Sequence, residues 1–492
     1  MQFPDADREL LERSQQALAA VPESPLLGMD GTIPVHDPAT GEQIATIPNH
    51  TVDTALTALG LADEAGREWA ATSPRHRSDV LHNAYAKLME RRDDLALVMS
   101  REMGKPISEA YAEVQYASDY VRWYAEEALR AGGSYRAAPN GDATIITTRA
   151  AVGLAVLITP WNFPMAMATR KIAPALAAGC GCVIKPATLT PLTTYLTVQI
   201  MEEAGVPKGL VQVITTGRAS VFSNAVLADE RVRKVSFTGS TQVGSTLMQL
   251  AAKNIVKSSM ELGGNAPLMV FDDADLERAI DGAILAKMRN GGQTCVAANR
   301  MLIQDGIADD FIAGFTEKMA GIVRGNPLNP EVELGPVIDA RAVERLQHLV
   351  EDATARGAEV RTGGVAPESA GHFFEPTVLD NVPVEAEITT TEIFGPVAAI
   401  TRFSTQEEAI AKANDTCFGL AAFVFTEQID RALNVAERLE TGMVGINQGL
   451  LSNIAAPFGG VKQSGLGREG SAEGIEEYQE IRYFNVTRRE TY

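Results

Sequence analysis

Residues 152–186 read VGLAVLITPWNFPMAMATRKIAPALAAGCGCVIKP, and this stretch decides the fold. VGLAVLITP is a short, continuous apolar run of the kind carried by a strand buried on both faces. PMAMATRKIAPALAAG follows as a helix, and CVIKP as a second buried strand. A strand, a helix and a strand at this spacing form a parallel βαβ unit. The alternation continues downstream with a helix from Pro191 to Gly205, the strand LVQVITTG, a helix from Ser220 to Leu227 and the strand VRKVSFTGS. A helix from Thr241 and a strand near SSMELGG complete the series. The expected result is an α/β chain with a Rossmann-like nucleotide-binding sheet. After Gly264 the pattern starts afresh in APLMVFDDADLERAIDGAILAKM, which predicts a second α/β domain.

Working outward, PVHDPATGEQIATIP reads as strand, turn and strand, and the chain from Thr51 to about Gly132 is helical in its apolar spacing. YRAAPNGDATIITTRAAVG carries a Pro-Asn-Gly turn between two strand-like runs, a hairpin signal. The last thirty or so residues read as a helical turn and an alternating strand, and a terminal strand with an open edge favours pairing with another subunit.

Composition narrows the function classes. With 492 residues, more than one core is expected. A net charge of -20 excludes the basic footprint of a nucleic-acid binder. Four cysteines make no disulfide framework, so a reducing compartment is expected. The acidic start, MQFPDADRELLERSQQALAA, has no apolar signal core, and the longest apolar run is about half of the ~20 residues that a membrane span needs. A cytoplasmic protein without membrane contact is the expectation.

Four features could carry chemistry. FTGSTQVG sets Gly239 and Gly244 at a strand-to-helix junction, where helix N–H groups can receive a phosphate; an ordinary tight turn reads the same way. Lys185 closes the CVIK strand at its carboxyl end, where open α/β sheets bind ligands. In NGGQTCVAANR, Gly291 and Gly292 would admit a substrate or cofactor beside Cys295, which is either a nucleophile or a small packing residue. Cys180, Cys182 and Cys417 read as packing residues in the core, and a lone C-x-C supplies too few ligands for a metal. None of the six histidines lies in a motif-like stretch, so a His-paired thiol has no visible partner. MELGGNAP instead offers Glu261, a carboxylate that apolar surroundings would raise toward neutrality as a general base, or else an edge glutamate in water. In TPWNFP, Asn162 is held between aromatics and prolines and could donate to an oxyanion.

Taken together, TPWNFP, KPAT, FTGS, MELGGNAP, GGQTC, EIFGPV and PFGGVKQSGLGREG resemble, in order and spacing, the motifs of the aldehyde dehydrogenase superfamily over roughly residues 25 to 492. The resemblance implies that fold: a dinucleotide-binding domain from residues 1–132 and 154–262, a catalytic domain over 263–455, and a small β element for oligomerisation from 133–153 and 456–492. It implies Cys295 as the nucleophile, forming a thiohemiacetal and then a thioester, with its oxyanion held by the Asn162 amide and the Cys295 N–H. Glu261 would activate the hydrolytic water, with Lys171 and Glu469 as its proton path. For the cofactor it implies Lys185 at the adenosine ribose, Ser240 at the pyrophosphate, Trp161 beside the nicotinamide, and Glu392 and Phe394 at the nicotinamide ribose and ring. No metal is implied.

NAD-preferring relatives often place a glutamate three residues after the lysine. Here it is Thr188, and a hydroxyl beside Lys185 accommodates a 2′-phosphate that a carboxylate would repel. NADP is therefore the expected cofactor, with NAD alongside it.

Within the superfamily the site stretches look most like succinate-semialdehyde dehydrogenase. There, arginines at the positions of Arg170 and Arg289 and a serine at that of Ser452 hold the substrate's distal carboxylate. Two guanidinium groups at a pocket mouth would select an anionic tail and aim its aldehyde at the thiol. The expected reaction is oxidation of succinate semialdehyde, with glutarate semialdehyde, one methylene longer, as the competitor. A CoA-acylating enzyme and a non-enzymatic relative are the remaining readings, which Glu261 and the intact Cys295, Glu261 and Asn162 respectively disfavour. Ala297 stands where some relatives carry a second cysteine, so a regulatory disulfide there is not expected. A homodimer or homotetramer is expected.

Overall fold

The computed structural model describes residues 5–26 and 28–488; the ends of the acidic N-terminal and C-terminal segments lie outside them. The opening stretch folds as its pattern requires. Leu154–Ile158 is a strand whose five residues are all buried, Ala166–Ala178 is a fully buried helix, and Cys182–Lys185 is the next strand. Gly179 ends the helix in the left-handed region at φ 97°, a position that glycine occupies without a Cβ penalty.

Six strands form the first sheet, in the order Gly465–Leu466, Lys257–Glu261, Val232–Thr238, Leu154–Ile158, Cys182–Lys185, Val211–Val213. The last five run parallel, and only Gly465–Leu466 is antiparallel, against Lys257–Glu261. The strand order reverses direction between Leu154–Ile158 and Val232–Thr238. That is the switch point of an open α/β sheet, where a crevice opens beyond the carboxyl ends of the strands. The loop carrying Trp161 and Asn162 leaves the first of these strands, and Gly239 and Ser240 leave the second.

A seven-stranded sheet runs Glu359–Thr362, Thr377–Asp380, Val397–Phe403, Ala298–Gln304, Ala266–Val270, Ala421–Phe425, Met443–Ile446, parallel apart from its first strand. A third sheet of three antiparallel strands joins Gln479–Thr487 to Ala143–Ala151 and that to Ser134–Ala137, so the expected hairpin is present. The terminal strand leaves one edge free, with Ile481, Tyr483 and Phe484 exposed. The segment after residue 456 does more than build this element. Its residues 461–462 pair with Phe418–Gly419 in a separate two-stranded sheet, and 465–466 add to the first sheet beside the strand that ends in Glu261. No helix among the described residues is long and apolar enough to cross a membrane.

Candidate active site

Cys295 lies between a turn, Arg289–Gly292, and the strand Ala298–Gln304. Three consecutive residues of that turn are left-handed: Asn290 at φ 55°, Gly291 at 61° and Gly292 at 73°. The glycines are needed for this backbone, not for ligand approach as the sequence suggested. A Cβ on Gly292 would stand 2.2 Å from the Gly395 carbonyl, and one on Gly291 would meet Leu334, so both face the protein. Gly264 is as constrained, since its Cβ would lie 2.3 Å from the Cys295 carbonyl. The asparagine tolerates the positive φ because its partners hold it: its backbone N–H donates to Glu109, and its amide donates to the carbonyls of Asn162 (3.0 Å) and Gln293 (3.1 Å).

The turn brings Cys295 into a cavity of about 490 Å³ whose walls include Asn162, Glu261, Trp161, Ser240, Glu392 and Phe394, and also Arg170, Arg289 and Ser452. Ten of the fourteen residues singled out in the sequence thus share one cavity. Lys171 and Glu469 sit behind its wall, and Lys185 and Thr188 belong to the neighbouring strand end. Among the described residues no cluster of histidine, cysteine or carboxylate side chains is placed to hold a metal.

Burial sets the electrostatics. It pushes the Cys295 thiol up to about 12, helped by the nearby Glu392 carboxylate and opposed by Arg170. The resting group is therefore a thiol, which must lose its proton to react. Glu261 is 2% exposed, and neither of its carboxylate oxygens has a hydrogen-bond partner among the described residues. Burial, and then the charge of Glu469, raises its pKa well above the usual carboxylate range. Glu469 moves the other way: burial opposes ionisation, but Lys171 and Arg170 both hydrogen-bond it and hold it ionised. Two neighbouring carboxylates with opposed shifts mark a candidate site of proton transfer.

Asn162 is buried, and its amide N–H donates to the Gln293 carbonyl at 2.9 Å, leaving a second N–H on the same nitrogen. Lys105, itself paired with Glu113, holds the Asn162 carbonyl at 3.0 Å. Oxyanion stabilisation needs this kind of pre-set donor.

The two arginines differ. Arg170 donates from Nε to Glu469 at 2.6 Å, with its side chain 2% exposed and its guanidinium 4.2 Å from the Phe458 ring centroid. Arg289 makes no ion pair among the described residues; its one hydrogen bond there, 3.1 Å long, goes to Ser452 Oγ. Sequence reasoning missed Tyr116, Phe163 and Phe458, which line the same cavity, with Arg289 stacked 5.0 Å from the Phe163 centroid. It also missed Arg345, which donates to the backbone carbonyls of Glu392 and Phe394. Phe163 and Phe458 lie within the motifs TPWNFP and PFGGVKQSGLGREG, but Tyr116 and Arg345 lie in none, and their proximity arises only in three dimensions.

A nucleotide fits the crevice. Ser240 caps the helix Thr241–Ala252 without making a side-chain capping bond, which leaves its hydroxyl and the first helical N–H groups available to an anion. The Lys185 amine is buried, its one hydrogen bond among the described residues going to the Pro186 carbonyl at 3.4 Å, and burial lowers its pKa to about 8, a shift that a bound anion would oppose. Trp161 and Phe394 pack edge-on at 5.4 Å, and the Gly264 N–H holds Glu392 at 3.2 Å.

Cys180 and Cys182 are buried, as expected of packing residues, whereas Cys417 is exposed and not a core residue. It sits in the bend before Phe418–Gly419, and the apolar run that made it look internal begins only after it. All four cysteines are free.

A cavity-wall thiol and a buried carboxylate, set at the switch point of a Rossmann-like sheet, are the arrangement of a dinucleotide-linked oxidoreductase. The chain belongs to the aldehyde dehydrogenase family, whose pattern matches residues 28–484, and members of this family use NAD(P). It is 50% identical over 385 residues, covering 78% of this chain and 86% of the relative, to a succinate-semialdehyde dehydrogenase of Paenarthrobacter nicotinovorans. It is 47% identical over 456 residues, 93% of this chain and 94% of the relative, to a glutarate-semialdehyde dehydrogenase of Pseudomonas putida. A crystal structure of an NADP-dependent enzyme of E. coli superposes with a TM-score of 0.92 at 44% identity, covering 94% of this chain and 96% of that one.

Proposed function

We propose that the chain oxidises succinate semialdehyde to succinate, with NADP favoured and NAD also used. The observation that carries the substrate class is Arg289, a cavity-wall guanidinium with no ion pair among the described residues, held toward Ser452 in the cavity that contains Cys295. An unpaired cation beside a hydroxyl suits the distal carboxylate of a short anionic aldehyde. Arg170 adds positive potential to the same wall, although Glu469 engages it. The relatives named succinate- and glutarate-semialdehyde dehydrogenase agree with this class.

In this reading Cys295 Sγ adds to the aldehyde carbon, and the oxyanion of the thiohemiacetal is held by the free Asn162 N–H and the Cys295 backbone N–H. Bound NADP supplies the hydride acceptor. Lys185 and Thr188 would hold its adenosine ribose, Ser240 its pyrophosphate, and Trp161, Glu392 and Phe394 its nicotinamide end. Glu261 takes a proton from the water that attacks the Cys295 thioester, and Lys171 and Glu469 carry that proton away. Retention of Glu261 favours water over CoA as the acyl acceptor. Residues 1–132 with 154–262 serve the nucleotide, 263–455 the chemistry, and 133–153 with 456–492 the contact between subunits of a homodimer or homotetramer.

An initial-rate panel of succinate semialdehyde, glutarate semialdehyde and butanal, each with NADP and with NAD, tests the assignment. The two semialdehydes should exceed butanal in kcat/KM, succinate semialdehyde should lead, and NADP should outperform NAD. Equal kcat/KM for butanal would contradict it. A lead for glutarate semialdehyde would favour the longer substrate, since one methylene is worth only ~1–3 kcal/mol.

A further inference from the structure

We propose that Lys234, Ser259 and Glu477 form the outer half of a proton outlet, draining the active site into a second cavity that shares no wall with the first. This rests on reading Glu261 as the base. The balanced reaction, aldehyde plus NAD(P)+ plus water giving carboxylate, NAD(P)H and two protons, requires both protons to leave. One comes off as the thioester forms and the other as the product acid ionises. During turnover the cavity above Glu261 is filled by substrate and cofactor, so the way out must run behind it.

Behind it lies a series of buried polar groups that starts at Glu469, beside Glu261. Glu469, the charge acting most strongly on Glu261, is hydrogen-bonded by Lys171. Lys171 Nζ reaches Ser236 Oγ at 3.0 Å, and that hydroxyl is 3.5 Å from Glu469. Ser236 and Ser259 are directly paired on the adjacent parallel strands Val232–Thr238 and Lys257–Glu261, so their side chains stand on one face. Lys234, two residues earlier on the same strand, stands there too. Adjacent strands lie about 4.8 Å apart, a span that one water between the two hydroxyls would bridge.

Beyond that gap Lys234, fully buried, donates to Ser259 Oγ and to Glu477 at 2.9 Å, and Ser259 donates to Glu477 at 2.7 Å. The Glu477 side chain is 22% exposed and opens into a cavity of about 510 Å³ beside Arg149, Lys257, Arg468 and Glu476. Gly467, at φ 86°, covers this junction: a Cβ there would lie 3.1 Å from Ser259 Oγ and 3.0 Å from Glu477. A lysine–carboxylate staple would need no line of hydroxyls leading back to the base. An outlet needs one.

The test uses Glu477→Gln and, as a second variant, Lys234→Met, assayed with succinate semialdehyde in dilute buffer and with added imidazole. The first-turnover burst of reduced cofactor should match that of the wild type. Steady-state kcat in dilute buffer should fall about tenfold and be restored saturably by imidazole, while the wild type ignores imidazole. Wild-type kcat in dilute buffer, or a loss that imidazole does not restore, would overturn the outlet. Unchanged thioester hydrolysis in Glu261→Gln would overturn the underlying reading of Glu261 as the base, and the outlet with it.

Discussion

Arg170 and Glu469, 299 residues apart in the chain, meet at 2.6 Å with both side chains almost wholly buried. Glu469 is also bound by Lys171, so one carboxylate answers two cations at the back of the cavity. Arg289, at its front, has no carboxylate partner among the described residues. Two residues that look alike in the sequence are therefore expected to respond differently to mutation.

Arg289→Ala should raise KM for succinate semialdehyde by about 10- to 100-fold, the range that a charge-assisted hydrogen bond of ~1.5–3 kcal/mol supplies. Its effect on butanal should be small. Initial rates with both aldehydes check this, and an equal effect on the two would remove the carboxylate role.

Arg170→Ala should act on stability first. Removing one partner of a buried ion pair costs up to ~3–5 kcal/mol, and here Lys171 still compensates part of the Glu469 charge. Urea unfolding monitored by tryptophan fluorescence should show the larger loss for Arg170→Ala, and about 1–2 kcal/mol for Arg289→Ala, which breaks one part-buried hydrogen bond and the stacking on Phe163. The reverse ranking would contradict the geometry.

The pH dependence follows from Glu261. Its pKa is raised by burial, so at low pH it is protonated and cannot accept a proton from water. Hydrolysis of the thioester should therefore increase with pH through an apparent pKa above the ordinary carboxylate value. In Glu261→Gln that limb should vanish and kcat should fall by ~10²–10⁴-fold. Single-turnover measurements of acyl-enzyme decay across pH read this directly, and an unchanged limb in the variant would assign it to another group.

Thr188→Glu should turn the cofactor preference toward NAD. A carboxylate facing a 2′-phosphate costs several kcal/mol, so kcat/KM for NADP should fall by about two orders of magnitude, with NAD little affected. Parallel rate measurements with the two cofactors decide it.

The sheet was legible because its strands are continuous apolar runs bounded by glycine and proline, and Leu154–Ile158 and Cys182–Lys185 lie where those runs stand. Cys295, Asn162 and Glu261 were legible as a series of motifs and not singly, since each has an equally good packing or surface reading. What the sequence could not show is who partners whom across hundreds of residues. The claim of Glu469 on Arg170, the pairing of Gly465–Leu466 with the Glu261 strand, and the Lys234–Glu477 contact all depend on tertiary closure. Gly291 and Gly292 were visible as a special backbone, but their reason, packing against Leu334 and Gly395, was not. Cys417 misled because its neighbours are apolar while it stands in an exposed bend.

The central claim is that Cys295 carries the substrate's acyl group and Glu261 releases it. The most direct measurement is intact-protein and peptide mass spectrometry of Glu261→Gln, quenched in acid after mixing with NADP and succinate semialdehyde. A mass increase of one succinyl group, localised to the Cys295 peptide and absent from Cys295→Ala, is the predicted result. An unmodified Cys295, with reduced cofactor formed in stoichiometric amount, would contradict it.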